Sequence, residues 1–191
     1  MTDEDMAPAA PPADWAAQLL TFWFDHHGRD DWFGGGDGFD AACQGFAGEW
    51  LQALRRFPAD HFLTDPETAL AAIILFDQMP RNLFRGHADA FATDALALAI
   101  ARAFAARGWD AQLAEDRRLF AYLPFEHSED MDDQRESLRL FAALGNAEYL
   151  GFAKAHFDII DRFGRFPHRN AALGRAMRPD EASAVEEGSN W

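Results

Sequence analysis

A chain of 191 residues, 49% of them hydrophobic and 14% aromatic, is long enough to bury a full core and fits one domain. Seventeen Lys and Arg against 32 Asp and Glu leave a formal net charge of -15. With an isoelectric point near 4.7, this balance argues against nucleic acid or an anionic membrane surface as partner, because both need a basic face. No apolar run approaches the length of a membrane span, and the single Cys43 excludes an internal disulfide and fits a reducing cytoplasm.

Residues 1–13, MTDEDMAPAAPPA, are an acidic stretch rich in Pro and Ala with no basic or apolar signal region. They read as a disordered tail, and residues 14–191 as a single all-helical domain. Asp14 is placed to cap a helix with the stripe Trp15, Leu19, Phe22 and Trp23, ending with His26 and His27 before Gly28. GRDDWFGGGDGFD then fits neither a phosphate loop nor a calcium loop, and reads as a mobile connector. A second helix is expected from Phe39 to Arg56 on Phe39, Cys43, Phe46, Trp50 and Leu54. Pro66 opens a third, apolar all round and therefore buried, with Pro80 as its stop. An alanine-rich helix from Ala88 to Arg107 suits close helix contact. Glu115 to Leu123 follows, ended by Pro124; Ser128 caps a helix reaching Gly145, and Ala147 to Phe163 makes the next. Further helices start at Asn170 and Pro179. With no alternating strand pattern, the class is all-α, and short loops imply antiparallel neighbours.

Periodicity puts three polar residues on apolar stripes. Asp77 continues Leu70, Ile73 and Ile74; Gln134 falls on Met131, Leu138 and Phe141; His156 falls among Tyr149, Phe152, Ile159, Ile160 and Phe163. A buried carboxylate needs a partner, and the acid-free segments supply cations: Arg81 and Arg85 in DQMPRNLFRG, and RFGRFPHRNAALGR from Arg162 to Arg175. The Arg-Asn pair that follows a proline in both segments predicts that the two turns lie close together, with Asp77, Glu126 or a bound anion between their cations. In the structural reading, Arg81 or Arg169 forks onto Asp77 while Asn82 and Asn170 cap helices. In PFEHSEDMDDQRE, Glu129 and Asp130 suit a first helical turn, and Asp132, Asp133 and Glu136 a solvated face. Glu126 and His127 precede the cap and are the functional candidates. The chain has no H-E-x-x-H and no ligand-spaced His pair, so zinc is poorly supported. An oxygen-preferring metal on Asp77, Glu126 and His127 would need convergence that spacing does not give. No cofactor is indicated.

DQMPRNLFRG, EHSEDMDDQ and FGRFPHRN, in this order and at these separations, resemble the bacterial family catalogued as domain of unknown function 924. The resemblance runs from Trp15, with LLTFWF, to about Glu181. Asp77, Gln78, Arg81, Asn82, His127, Glu129, Gln134, Arg165, His168, Arg169 and Asn170 match its pattern, while Phe76, Met79 and Phe125 replace other apolar residues. It implies an all-helical fold similar to the tetratricopeptide-like superhelices, although the sequence shows no 34-residue repeat, and it implies no activity.

Three functions stay open. In a binding module, Arg81, Asn82, Gln134, Arg165, His168, Arg169 and Asn170 line a polar groove for a small anion or a carboxylate-bearing peptide, since guanidinium forks match carboxylate and phosphate. In a hydrolase or lyase, His127 or His156 acts as general base, oriented by Glu126 or Asp77. In a structural or interaction protein, the same groups form a buried polar network that sets helix register.

Overall fold

The computed structural model describes residues 10–186, so most of the expected 1–13 tail lies outside the described residues. Ten α-helices span them: α1 (Trp15–Phe24), α2 (Arg29–Gly34), α3 (Asp37–Leu54), α4 (Pro66–Asp77), α5 (Met79–Leu83), α6 (Asp94–Ala106), α7 (Glu115–Glu126), α8 (Met131–Leu144), α9 (Ala147–Phe163) and α10 (Pro179–Glu186). Among the described residues there is no strand, and no helix is long and apolar enough to cross a membrane.

The centre is α4. Pro66 sits in its first turn, and the Asp65 side chain accepts the Thr68 amide at 2.9 Å, a combination that starts helices efficiently. Every residue from Ala69 to Asp77 is buried, because α1, α6 and α7 pack around the helix. Burying each Leu, Ile or Phe of this run contributes about 1.5–3 kcal/mol. The following helices α7, α8 and α9 each pack on the next. Asp130 and Asn146 cap α8 and α9 by accepting amide hydrogens. Gly145 (φ 84) and Gly164 (φ 67) end them in the left-handed region that favours glycine.

Several boundaries differ from the sequence expectation, each for a local reason. Helix α1 stops at Phe24, before the histidines, and Asp14 bonds the Gln18 side chain rather than an amide. The expected connector contains α2, started by Gly28, whose amide donates to the Asp31 carboxylate at 3.2 Å. Pro80 lies in the first turn of α5 and opens that helix rather than closing α4. The alanine-rich segment splits into a 3-10 turn at Ala88–Phe91 and α6. Pro124 lies inside α7, which continues to Glu126 with the His127 amide reaching the Leu123 carbonyl at 2.9 Å. Asp130, not Ser128, caps α8, while Ser128 donates to the Asp133 carboxylate at 2.7 Å. Asp133 is therefore buried and paired with Arg102, not part of a solvated face. Asn170 follows a 3-10 turn at Pro167–Arg169 and starts no α-helix.

Candidate functional site

The last turn of α4 delivers Asp77 to a point where α4 meets α5 and α7. Its side chain is fully buried. Both carboxylate oxygens lie against Nδ1 of His127, at 2.8 and 3.0 Å. The Gln78 amide donates to one of them, and Arg81 stands 3.5 Å away while also donating to the Asp77 backbone carbonyl. Burial alone would raise the Asp77 pKa, but the Arg81 charge and the His127 and Gln78 bonds overcome it and hold the carboxyl well below its usual range. Burial, then the Arg81 charge, lowers the His127 pKa against the pull of Asp77. Arg81 already supplies a permanent charge, so a second cation beside it is disfavoured. An ionised Asp77 can only accept, so Nδ1 carries the His127 hydrogen and Nε2 is left as a bare acceptor. With Nδ1 turned to Asp77, the opposite edge of the ring meets the adjoining cleft, which His127 lines.

Glu126, the preceding residue, is also buried and lines the same cleft. Its Oε1 is 3.1 Å from Nδ1 of His156, and its Oε2 has no hydrogen-bond partner. Desolvation, then repulsion from Asp77, pushes its pKa up to about 8, so it is a neutral acid at neutral pH. His156 also bonds the Phe152 carbonyl at 2.9 Å, which places its hydrogen on Nδ1. Burial, then the neighbouring His127, lowers its pKa to about 3. Gln134 fixes this corner by donating to the carbonyls of Glu126 and Ser128, both at 2.7 Å.

The cleft has a volume of about 450 Å³. Its polar side includes Gln78, Arg81, Asn82, Glu126, His127 and His156, and Arg29, Arg85 and Glu148 also line it. Its apolar side is Trp32 and Phe33 of α2, Leu119 and Leu123 of α7, Phe141 of α8, and Tyr149 and Phe152 of α9. Helix α2 is fastened over it: Arg29 donates to the Tyr149 hydroxyl and to Glu148, and the Trp32 indole donates to the Trp23 carbonyl at 3.0 Å. Phe152 was expected in the buried stripe of α9 but is 46% exposed, standing at this cleft.

The family model described as a bacterial protein of unknown function (DUF924) matches residues 19–189. The chain belongs to that family. It is also similar to a solved protein of unknown function from Agrobacterium tumefaciens, at 41% identity and a TM-score of 0.86, over 92% of this chain and 99% of that one. None of the curated proteins matches.

The other expected ligand-binding residues of this family member fall outside the cleft lining. Arg81 itself forks onto Asp94, at 2.9 and 3.1 Å, rather than onto Asp77. Arg169 approaches the same Asp94 at 3.4 Å and packs on the rings of Phe91 and Phe166. The two Arg-Asn turns therefore do lie together, with Asp94 between their cations. Burial, then the Arg81 charge, lowers the Arg169 pKa to about 10, and burial, then Arg169, lowers that of His168 to about 4. Arg165 forks onto Glu181 at 2.7 and 2.8 Å, and Asn170 donates to the same carboxylate at 3.0 Å. Asn82 bonds the Gln78 carbonyl and caps no helix. Glu129 leaves the first turn of α8 to hold Arg175 and the Phe166 amide. Among the described residues, no group of three or more His, Cys, Asp and Glu is arranged to hold a metal ion.

Sequence reasoning missed Asp94, Glu181 and the aromatic wall. For α2 a signal existed in the spacing of Gly28 and Asp31, where a carboxylate three residues on can bond the starting amide. Asp94 and Glu181 carry no comparable local mark.

Proposed function

We propose that this protein is a small enzyme that transfers protons: the cleft takes up a small molecule, and His127, oriented by Asp77, acts as general base on it or on a water beside it. One observation carries the reading, namely that both oxygens of a buried Asp77 hold Nδ1 of His127, a residue that lines the cleft. A base held in one tautomer by a carboxylate typically contributes about 10²–10⁴-fold to rate. No Ser, Thr or Cys lines the cleft, so hydrolysis by attacking water or lyase-type proton abstraction is favoured over a covalent intermediate. The reading includes a cytoplasmic setting, which the free Cys43 suits, and a small-molecule partner rather than nucleic acid or membrane. It also retains the tetratricopeptide-like relationship of the helical array, in keeping with the successive packing of α7, α8 and α9.

A second reading, binding of a small anion or a carboxylate-bearing peptide without turnover, is favoured by Arg29 and Arg85. Both line the cleft with side chains 46% and 60% exposed. Their partners Glu148 and Asp40 form surface pairs that an incoming anion can displace at small cost.

The test is proton exchange at carbon. Neutral ketones, esters and hydroxycarbonyl compounds are incubated with the protein in deuterium oxide and followed by proton NMR. We expect exchange or turnover of at least one compound, reduced about a hundredfold or more in His127→Gln. Exchange undiminished by that substitution, or none across the panel, would remove the base assignment.

A further inference from the structure

Among the described residues, Glu126 is the one carboxyl at the cleft with no cation of its own. Arg81 is committed to Asp94 and Asp77, Arg85 to Asp40 and Arg29 to Glu148. Among the described residues the donor near Glu126 is Nδ1 of His156 at 3.1 Å, and that hydrogen is shared with the nearer Phe152 carbonyl at 2.9 Å. Its other oxygen, Oε2, is buried and has no hydrogen-bond partner among the described residues. A carboxylate in this position would be both desolvated and set beside the negative Asp77, which is unfavourable. A carboxylic acid there has a hydrogen to give and no protein acceptor to receive it.

We propose that Glu126 serves as a neutral hydrogen-bond donor in the cleft, and that the ligand is correspondingly an uncharged molecule presenting a carbonyl or hydroxyl oxygen on a flat apolar body. This rests on the small-molecule cleft proposed above, but not on turnover. The apolar body fits between Trp32, Leu123, Phe141 and Phe152, which face the cleft from four different helices. An anionic headgroup is disfavoured at the inner end for two reasons. Asp77 is ionised there, and the Arg81 fork that would neutralise an anion is filled by Asp94. The charged and titratable groups around Glu126 act in the same sense. Asp77 from α4 repels a second negative charge, while His127 and His156 from α7 and α9 are held neutral. With its pKa pushed up to about 8, Glu126 keeps its hydrogen through neutral pH.

Benzamide and benzoate share a ring and differ in charge, and they separate the possibilities. Binding to the intact protein is measured by NMR titration slightly below neutral pH. We expect benzamide to bind at least about tenfold more tightly than benzoate, as one well-placed buried hydrogen bond allows. Glu126→Gln keeps an N–H donor at the same place, so benzamide affinity should stay within about threefold, whereas Glu126→Leu should lose about tenfold or more. Raising the pH to one unit above the Glu126 pKa of about 8 should cost wild type about tenfold, and Glu126→Gln nothing. A carbon-13 spectrum of the glutamate carboxyls checks the same point without any ligand: the wild-type signal that is absent from Glu126→Gln should be that of a protonated acid at neutral pH. Equal or tighter binding of benzoate, no binding of benzamide, or an ionised Glu126 would each overturn the proposal. None of these readings needs turnover, so a failed exchange assay leaves a benzamide preference standing, and a benzoate preference leaves exchange standing.

Discussion

The segment from Arg162 to Arg175 and the corner formed by Asp77, Glu126 and His127 both bury charged groups, but they finish them differently. In the arginine segment each buried or half-buried guanidinium meets a carboxylate: Arg165 with Glu181, Arg169 with Asp94, Arg175 with Glu129. The Nε atoms of Arg169 and Arg175 find no acceptor, yet each side chain keeps its ion pair, and Arg169 also keeps two aromatic faces. In the corner, one carboxylate is saturated by His127, Gln78 and Arg81, while the neighbouring acid has a bare oxygen and the imidazole a bare nitrogen. A cluster in which each of these charges is paired is scaffold. Groups left open where a cavity begins are where chemistry can enter.

The largest effect should come from opening the saturated end. Asp77→Ala leaves Arg81 with one carboxylate fewer and removes the carboxylate partner of His127 Nδ1, and breaking a buried pair costs about 3–5 kcal/mol. In a chain of this size that corresponds to a Tm lowered by about 6–20 °C. Arg169→Lys should be milder, about 1–2 kcal/mol, because Lys keeps the charge near Asp94 and loses the planar stacking on Phe91 and Phe166. Phosphate or citrate should not restore its Tm, since the Arg169 side chain is turned into the scaffold. Thermal unfolding of both variants measures this, and the reverse order of effects would invert the comparison.

A smaller effect distinguishes the two neutral groups of the corner by pH. The Glu126 pKa rises on folding from 4.5 to about 8, so the folded protein holds a proton that the unfolded chain has released. That contribution is fully present below 4.5 and is lost as pH climbs to about 8. His156 and His168, lowered from 6.5 to about 3 and about 4, work in the opposite direction and cost stability as pH falls below 6.5. The opposing contributions overlap between 4.5 and 6.5, and above 6.5 only Glu126 of these three still acts. Wild-type Tm should therefore decline from pH 6.5 to about 8, and Glu126→Gln should be flat across that window.

Periodicity made Asp77, Gln134 and His156 legible, because a helical stripe fixes which way a side chain points whatever lies opposite. The same rule placed Phe152 in the core, where the structure has it 46% exposed at the cleft. A stripe does not reveal that a cleft opens beside one of its members. The Arg81 partner was misassigned for a related reason. Asp77 is four residues away on the same chain, but the bidentate geometry is met by Asp94, on a helix that sequence spacing does not bring near. Helix boundaries slipped where polar residues had two uses. Ser128 is a good capping residue, but its hydroxyl is engaged by Asp133, and Asp130 caps α8 instead.

The state of the His127 ring is the most direct test of the proton-transfer site. Nitrogen NMR of the imidazoles at neutral pH, with His127→Gln to assign the signal, reports which nitrogen carries hydrogen. We expect a neutral His127 with its hydrogen on Nδ1 and a bare Nε2, changing in Asp77→Asn to a mixture of tautomers as the fixed carboxylate acceptor is lost. A wild-type His127 that is an imidazolium at neutral pH, or that carries its hydrogen on Nε2, would contradict its role as the base.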